Sequence, residues 1–192
     1  VITLVAGLAL GVVQDITADP IAKQEAQAKA EAYEQVFTDA AAFEEVEMDD
    51  TLIQTIRDQL DQEGYKAQSI EEVMRAEDQS GETLGYAFAV VTSEGYGGDI
   101  RFSMGVQNDG TLNGISILSI GETAGLGMNA DTPAFKDQFV GKQVEKLQYT
   151  KNGATQDDEI NAISGATVTT NAMTNGVNAG LCAFRVMEGG DQ

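Results

Sequence analysis

Four strand-like runs follow one another between Val73 and Ile120: "VMRAED", "LGYAFAVVTS", "DIRFSMGVQ" and "LNGISILSI". They are rich in β-branched and aromatic residues and are broken by glycines, and "QNDGT" between the last two carries the Asn-Asp-Gly signature of a hairpin turn. Consecutive strands joined by such turns pair antiparallel, so the chain is committed to an antiparallel sheet. Helical patterns lie on both sides of this block, which makes the class α+β, a sheet flanked by helices.

The flanks read as follows. "ADPIAKQEAQAKAEAYEQVF" predicts a helix, with Asp19 as cap and Pro20 in the first turn. Its apolar stripe of Ile21, Ala26, Tyr33, Val36 and Phe37 is weak, so residues 19–45 are expected to form a largely exposed helical stalk. From "FEEVEMDD" to "VMRAED" the acidic density predicts short helical turns and loops on a solvated face. "DTPAFKDQFVGK" predicts a short helix capped by Thr132 and opened by Pro133, and "VEKLQYT" a strand followed by the loop "KNGATQDDE". The last helix is "VTTNAMTNGVNAGLCAFRVMEGG", with Met173, Val177, Leu181 and Phe184 on one face and a Gly-Gly stop.

The first thirteen residues, "VITLVAGLALGVV", carry no charge. A bilayer span needs about 20 residues, so the run reads as a transmembrane helix over 1–18, truncated at its start, with a buried core helix and a cleaved signal peptide as the alternatives. Asp15 and Asp19 follow the apolar run and no Lys or Arg precedes Lys23, which by the positive-inside rule places residues 46–192 on the extracytoplasmic side of the cell membrane in a single-pass arrangement. The chain has 192 residues, 42% of them hydrophobic, and a net charge of −20. That charge repels nucleic acid, so no nucleic-acid partner is expected. Without histidine and with Cys182 alone, the chain offers no thiolate or imidazole set for a metal centre and no Ser-His hydrolase. Any redox group must be organic or borrowed.

Three loops of small residues remain: "EGYGGDI" (Glu94 to Ile100), "GETAGLGMN" (Gly121 to Asn129) and "SGAT" (Ser164 to Thr167) at the start of the last helix. Small residues let a ligand approach the backbone, and the free N–H groups of a helix start suit a phosphate. Taken alone, "SGAT" reads first as an ordinary capped helix start. Together the loops can converge on one flat anionic ligand, with Lys142 the nearest cation in sequence.

The order "EGYGGDI", "GETAGLG", "FVGK" and "SGATVTTNAM" behind an apolar N-terminus resembles, over nearly the whole chain, the RnfG family, the FMN-binding subunits of Rnf complexes. Such a complex is a membrane ferredoxin:NAD+ oxidoreductase coupled to ion transport. The resemblance implies an electron-transfer subunit with covalent FMN, attached as a phosphoester to Thr167 by a flavin transferase, and other Rnf membrane subunits as partners. It implies that Ser164, Gly165 and Ala166 complete the attachment turn. It further implies that Glu122, Thr123, Gly125, Leu126 and Gly127 contact the flavin, and that Tyr96 and Gly97 lie near the ring system. The chain departs from the family pattern at Asn161 (commonly Asp), at Ala124 (often Pro) and at Gly121 (often His). Alternative readings are a relative of NqrC, the related FMN-binding component of the sodium-pumping NADH:quinone oxidoreductase, a flavin-free assembly or binding subunit, and a stand-alone flavin reductase.

Overall fold

A computed structural model describes residues 23–190, which fall into two compact units divided between Glu31 and Ala32. The expected membrane span over 1–18, and the Asp19 cap and Pro20 turn, lie outside the described residues. Among the described residues no helix is long and apolar enough to cross a membrane. A helix, α1, runs over 23–36. Within the first unit its residues are mostly exposed, with Gln27 Nε2 donating to Glu31 Oε1 at 2.9 Å.

The second unit is built on a five-stranded meander of β1 (Ala42–Glu45), β2 (Gln68–Glu77), β3 (Thr83–Thr92), β4 (Ile100–Gln107) and β5 (Leu112–Ser119), paired in chain order. Every pairing is antiparallel. The "QNDGT" turn joins β4 to β5 as expected, with Gly110 at φ 83° and Gly110 N donating to Gln107 O. The central strand β3 does not alternate between buried and exposed, because both faces are covered. Phe88 and Val90 join the main core, whereas Ala87 and Ala89 face the buried Tyr33, Val36 and Phe37. Alanines on that side let the α1 residues approach closely. The last turn of the expected stalk is therefore packed rather than exposed. Tyr33 also donates to Glu72, and its hydroxyl is held well above the usual phenol range by burial and by that carboxylate.

The acidic segment expected as short helical turns and loops contains a regular helix of 14 residues, α2 (Asp50–Glu63). Asp49 Oδ1 caps it by accepting from Leu52 N at 2.7 Å, and Gly64 ends it in the left-handed region at φ 89°. Ile56 and Leu60 bury its inner face. Residues 42–45, expected within the stalk, form edge strand β1. It is short, and two of its four residues are glutamates, a common protection of a sheet edge.

Helix α4 (Thr167–Gly190) lies across the face of the sheet that carries Phe88, Phe102, Met104 and Val106. Its glycines explain how close it comes. A Cβ on Gly176 would stand 2.8 Å from Phe102 Cε1, and one on Gly180 would collide with Met104 Sδ. Asn178, buried on the same helix, donates to Leu147 O and accepts from Leu147 N, and so fixes the entry to β6 (Gln148–Thr150). The expected strand "VEKLQYT" shortens to those three residues. They pair in parallel with β7 (Glu159–Asn161), which runs directly into the "SGAT" turn. In "DTPAFKDQFVGK", helix α3 (Pro133–Lys136) opens on proline as expected, but Thr132 makes no side-chain cap. Its hydroxyl donates to Asn129 O of the preceding turn of 3-10 helix, Gly127–Asp131.

Candidate functional site

Two of the three small-residue loops fold into the same shape. In the first, Leu126 N donates to Thr123 O at 3.1 Å with Gly125 at φ 76°. In the second, Ala166 N donates to Ile163 O at 3.1 Å with Gly165, also at φ 76°. A four-residue turn with a positive φ at its third residue takes glycine there, because a side chain would clash with its own backbone. The turns touch: a Cβ on Gly165 would stand 3.1 Å from Leu126 Cδ2.

A cleft of about 510 Å³ opens between them. Tyr96, Glu122, Thr123, Leu126 and Gly127 line one side, and Gly165, Ala166, Thr167, Val168 and Thr169 the other. Of the residues expected at the site, Gly97, Gly125 and Ser164 do not line the cleft. Gly97 donates its N–H to Glu122, Gly125 is the third residue of its turn, and Ser164 is the second residue of the other, at its outer corner. Tyr96 (76% exposed), Leu126 (43%) and Val168 (50%) give the opening an apolar rim. Val168 was not foreseen as a site residue; its place one residue beyond "SGAT" was the available signal.

The hydroxyls at the start of α4 are sorted by their surroundings. Thr170 Oγ1 donates to Ala166 O and accepts from Ile163 N, closing the turn before the helix. Thr169 Oγ1 donates to Glu122 Oε2 at 3.0 Å. Thr167 lines the cleft, half-buried, and its hydroxyl has no hydrogen-bond partner among the described residues. The first backbone N–H groups of the helix have no intrahelical acceptor, since Ala166 O takes its first bond from Thr170 N.

Loop 93–99 is held onto this helix start by two carboxylates. Glu94 Oε2 accepts from Asn171 Nδ2 at 3.2 Å and from Asn175 Nδ2 at 2.7 Å. Glu122, only 8% exposed, accepts from Gly97 N at 3.2 Å through its other oxygen. A Cβ on Gly127 would stand 2.5 Å from Glu122 Oε2 and 2.6 Å from Thr169 Oγ1, so this position has room for glycine alone.

Lys142 is not at the cleft. Its ammonium donates to Asp157 O at 2.6 Å, and its backbone pairs with Leu112, the first residue of β5. Among the described residues no Lys or Arg lines the cleft, and Glu122 is the one ionisable carboxyl that does. Asn161 is exposed on β7 and braces the loop before "SGAT". Its Oδ1 accepts from Ala154 N at 2.7 Å, and its backbone exchanges bonds with the Gln138 side chain.

An apolar-rimmed cleft, two glycine turns and a helix start suit a flat heteroaromatic ring with an anionic tail, the chemistry of a flavin nucleotide. Matching agrees: residues 95–181 match the FMN-binding domain family. This defines the class, an α+β FMN-binding domain. Over 187 residues the chain is 33% identical to the G-subunit of the Na+-translocating ferredoxin:NAD+ oxidoreductase complex of Acetobacterium woodii, covering 96% of this chain and 87% of that one. It is 28% identical over 190 residues to the G-subunit of the ion-translocating oxidoreductase complex of Methanosarcina acetivorans, covering 98% and 92%. The chain belongs to this G-subunit family. Its fold is also that of the crystal structure of the C-subunit of the Na+-translocating NADH-quinone reductase from Parabacteroides distasonis, with a TM-score of 0.52, 21% identity and 77% of each chain covered.

Proposed function

We propose that this protein is the FMN-carrying electron-transfer subunit of an ion-translocating ferredoxin:NAD+ oxidoreductase of the Rnf type, with the FMN phosphate esterified to Thr167 Oγ1. The observation that carries the reading is the sorting of hydroxyls. Of the threonines on the first turn of α4, only Thr167 both lines the cleft and keeps its hydroxyl unengaged. Ser164 is exposed on the outer corner of the turn, away from the lining.

The residues present fit the group. Thr167 would hold the phosphate, and the free N–H groups of the helix start offset its charge where no cation lines the cleft. Leu126 and Val168 would flank the ring with apolar surface, and Tyr96 would add an aromatic face. FMN, when bound, supplies the electron-accepting chemistry; the chain supplies retention, orientation and partial exclusion of water. Electron transfer requires no acid-base pair, and an ester bond retains the group in an open cleft without a deep cage.

Under this reading the protein works as a carrier rather than an independent catalyst. Its partners are the other membrane subunits of the complex and, during maturation, a flavin transferase. On the same reading residues 1–18 are a single membrane anchor and 19–31 the connection, and the unit that starts at Ala32, with β1 as its edge strand, is the FMN domain, on the extracytoplasmic side. Mass spectrometry of the peptide containing Thr167, taken from native membranes, tests the assignment. FMN less one water is the expected added mass, and an unmodified peptide overturns it.

A further inference from the structure

Glu122 would ordinarily be read as a ligand contact, because it lies in the cleft wall and carries its one ionisable carboxyl. Its hydrogen bonds indicate a different role. One oxygen takes the Gly97 N–H and the other the Thr169 hydroxyl, and the side chain is almost wholly buried. These donors lie on different elements, loop 93–99 and the first turn of α4. Glu94 ties the same loop to Asn171 and Asn175, farther along the same helix. Tyr96 stands between the two attachment points, 76% exposed and reaching the cleft that Thr167 lines.

We propose that Glu94 and Glu122 are positioning residues, two carboxylate struts that lock loop 93–99 against α4 and so hold Tyr96 as an aromatic cover over the flavin ring. The inference rests on FMN at Thr167. A loop held at one point could pivot; held at residues 94 and 97, it fixes the residue between them. The backbone at Gly97 also lies close on Gly121, whose O a Cβ there would meet at 2.2 Å, so the loop rests on the segment that carries Glu122. The site of a Cβ on Gly95 falls 2.9 Å from Glu122 Oε1, so the loop lies directly on the carboxylate. The Thr169 bond has a second effect: it commits the neighbouring hydroxyl to the protein, leaving Thr167 as the open acceptor.

A tyrosine in contact with an isoalloxazine ring quenches its fluorescence, because an electron passes from the phenol to the excited ring and returns. The test uses the full chain, matured in its host and extracted from membranes, as wild type, Tyr96→Leu, Glu94→Ala, Glu122→Ala and Glu122→Gln. Flavin occupancy at Thr167 is measured by mass spectrometry, and fluorescence per flavin before and after denaturation. The wild type should be dim when native and severalfold brighter when denatured. Tyr96→Leu and both alanine variants should be severalfold brighter in the native state at equal occupancy. Glu122→Gln should return close to the wild-type value, since its amide still accepts from Gly97 N–H and donates to Thr169. Should Glu122→Ala fail to fold, Glu94→Ala carries the test, since it leaves the buried carboxylate in place. Unchanged quenching in a folded alanine variant, or in Tyr96→Leu, overturns the proposal. An unmodified Thr167 in the wild type counts instead against the flavin assignment, and the mass spectrum shows it before any fluorescence is compared.

Discussion

Thr167 and Thr169, two residues apart at the start of α4, have opposite surroundings: the first hydroxyl is unengaged at a cleft, and the second is bound to a buried carboxylate. Thr167→Ala should therefore abolish flavin that survives denaturation, while Thr167→Ser, which keeps an oxygen at the same place, should retain most of it. In-gel flavin fluorescence checks both. Covalent flavin of wild-type intensity in Thr167→Ala would show that another hydroxyl is the acceptor.

Gly127 leaves no room for a methyl group between Glu122 and Thr169. Gly127→Ala is expected to cost about 1–3 kcal/mol through overpacking, a loss of several degrees in Tm for a chain of this size. Thermal unfolding followed by circular dichroism measures it. The same change should lower flavin occupancy, because the strut and the helix start are pushed apart.

Asn161 accepts one bond through Oδ1, from Ala154 N. A carboxylate oxygen can accept that bond equally well, so Asn161→Asp should leave Tm nearly unchanged and should not reduce occupancy at Thr167. Asn161→Ala removes the acceptor and should loosen loop 151–158, seen as faster amide hydrogen exchange at Ala154. An unchanged exchange rate there would show that the loop is held by Glu159 and Lys142 alone.

Burial pushes the Cys182 thiol up to about 12, assisted by the neighbouring Glu63 carboxylate and opposed by Arg185. In the unfolded chain it ionises near 9.0. Between those values the folded chain holds the proton more tightly, so this contribution to stability is full below about pH 9 and is lost as pH rises through the window up to about 12. Denaturant midpoints of wild type and Cys182→Ala, compared below and within that window, should converge as pH rises. The native thiol should also resist alkylation until the chain unfolds.

The meander was legible because its signals are local: strands that follow one another, and an Asn-Asp-Gly turn that pairs its neighbours. Helix α2 was not, although its Asp49 cap and Gly64 stop were present in the sequence. Its acidic outer face diluted the inner stripe of Ile56 and Leu60. Strand β1 is too short and too charged to stand out. The parallel pairing of β6 and β7 depends on Asn178, some thirty residues away on α4, and no local pattern encodes that contact. At the site, the loops were visible as clusters of small residues. Their fastening was not, because Glu122 and Thr169 are 47 residues apart and meet only once α4 lies on the sheet.

The two matching turns, Thr123–Leu126 and Ile163–Ala166, have a consequence for how such a site can vary. Each is closed by its own backbone bond, and each abuts the other through Leu126 and Gly165. Neither can gain or lose a residue without displacing its neighbour. Diversity at the cleft is thereby confined to the outward corners, Ala124 and Ser164, and to the rim at Tyr96 and Val168. A descendant of this chain can retune its surface by substitution, one side chain at a time, but insertion and deletion are closed to it there.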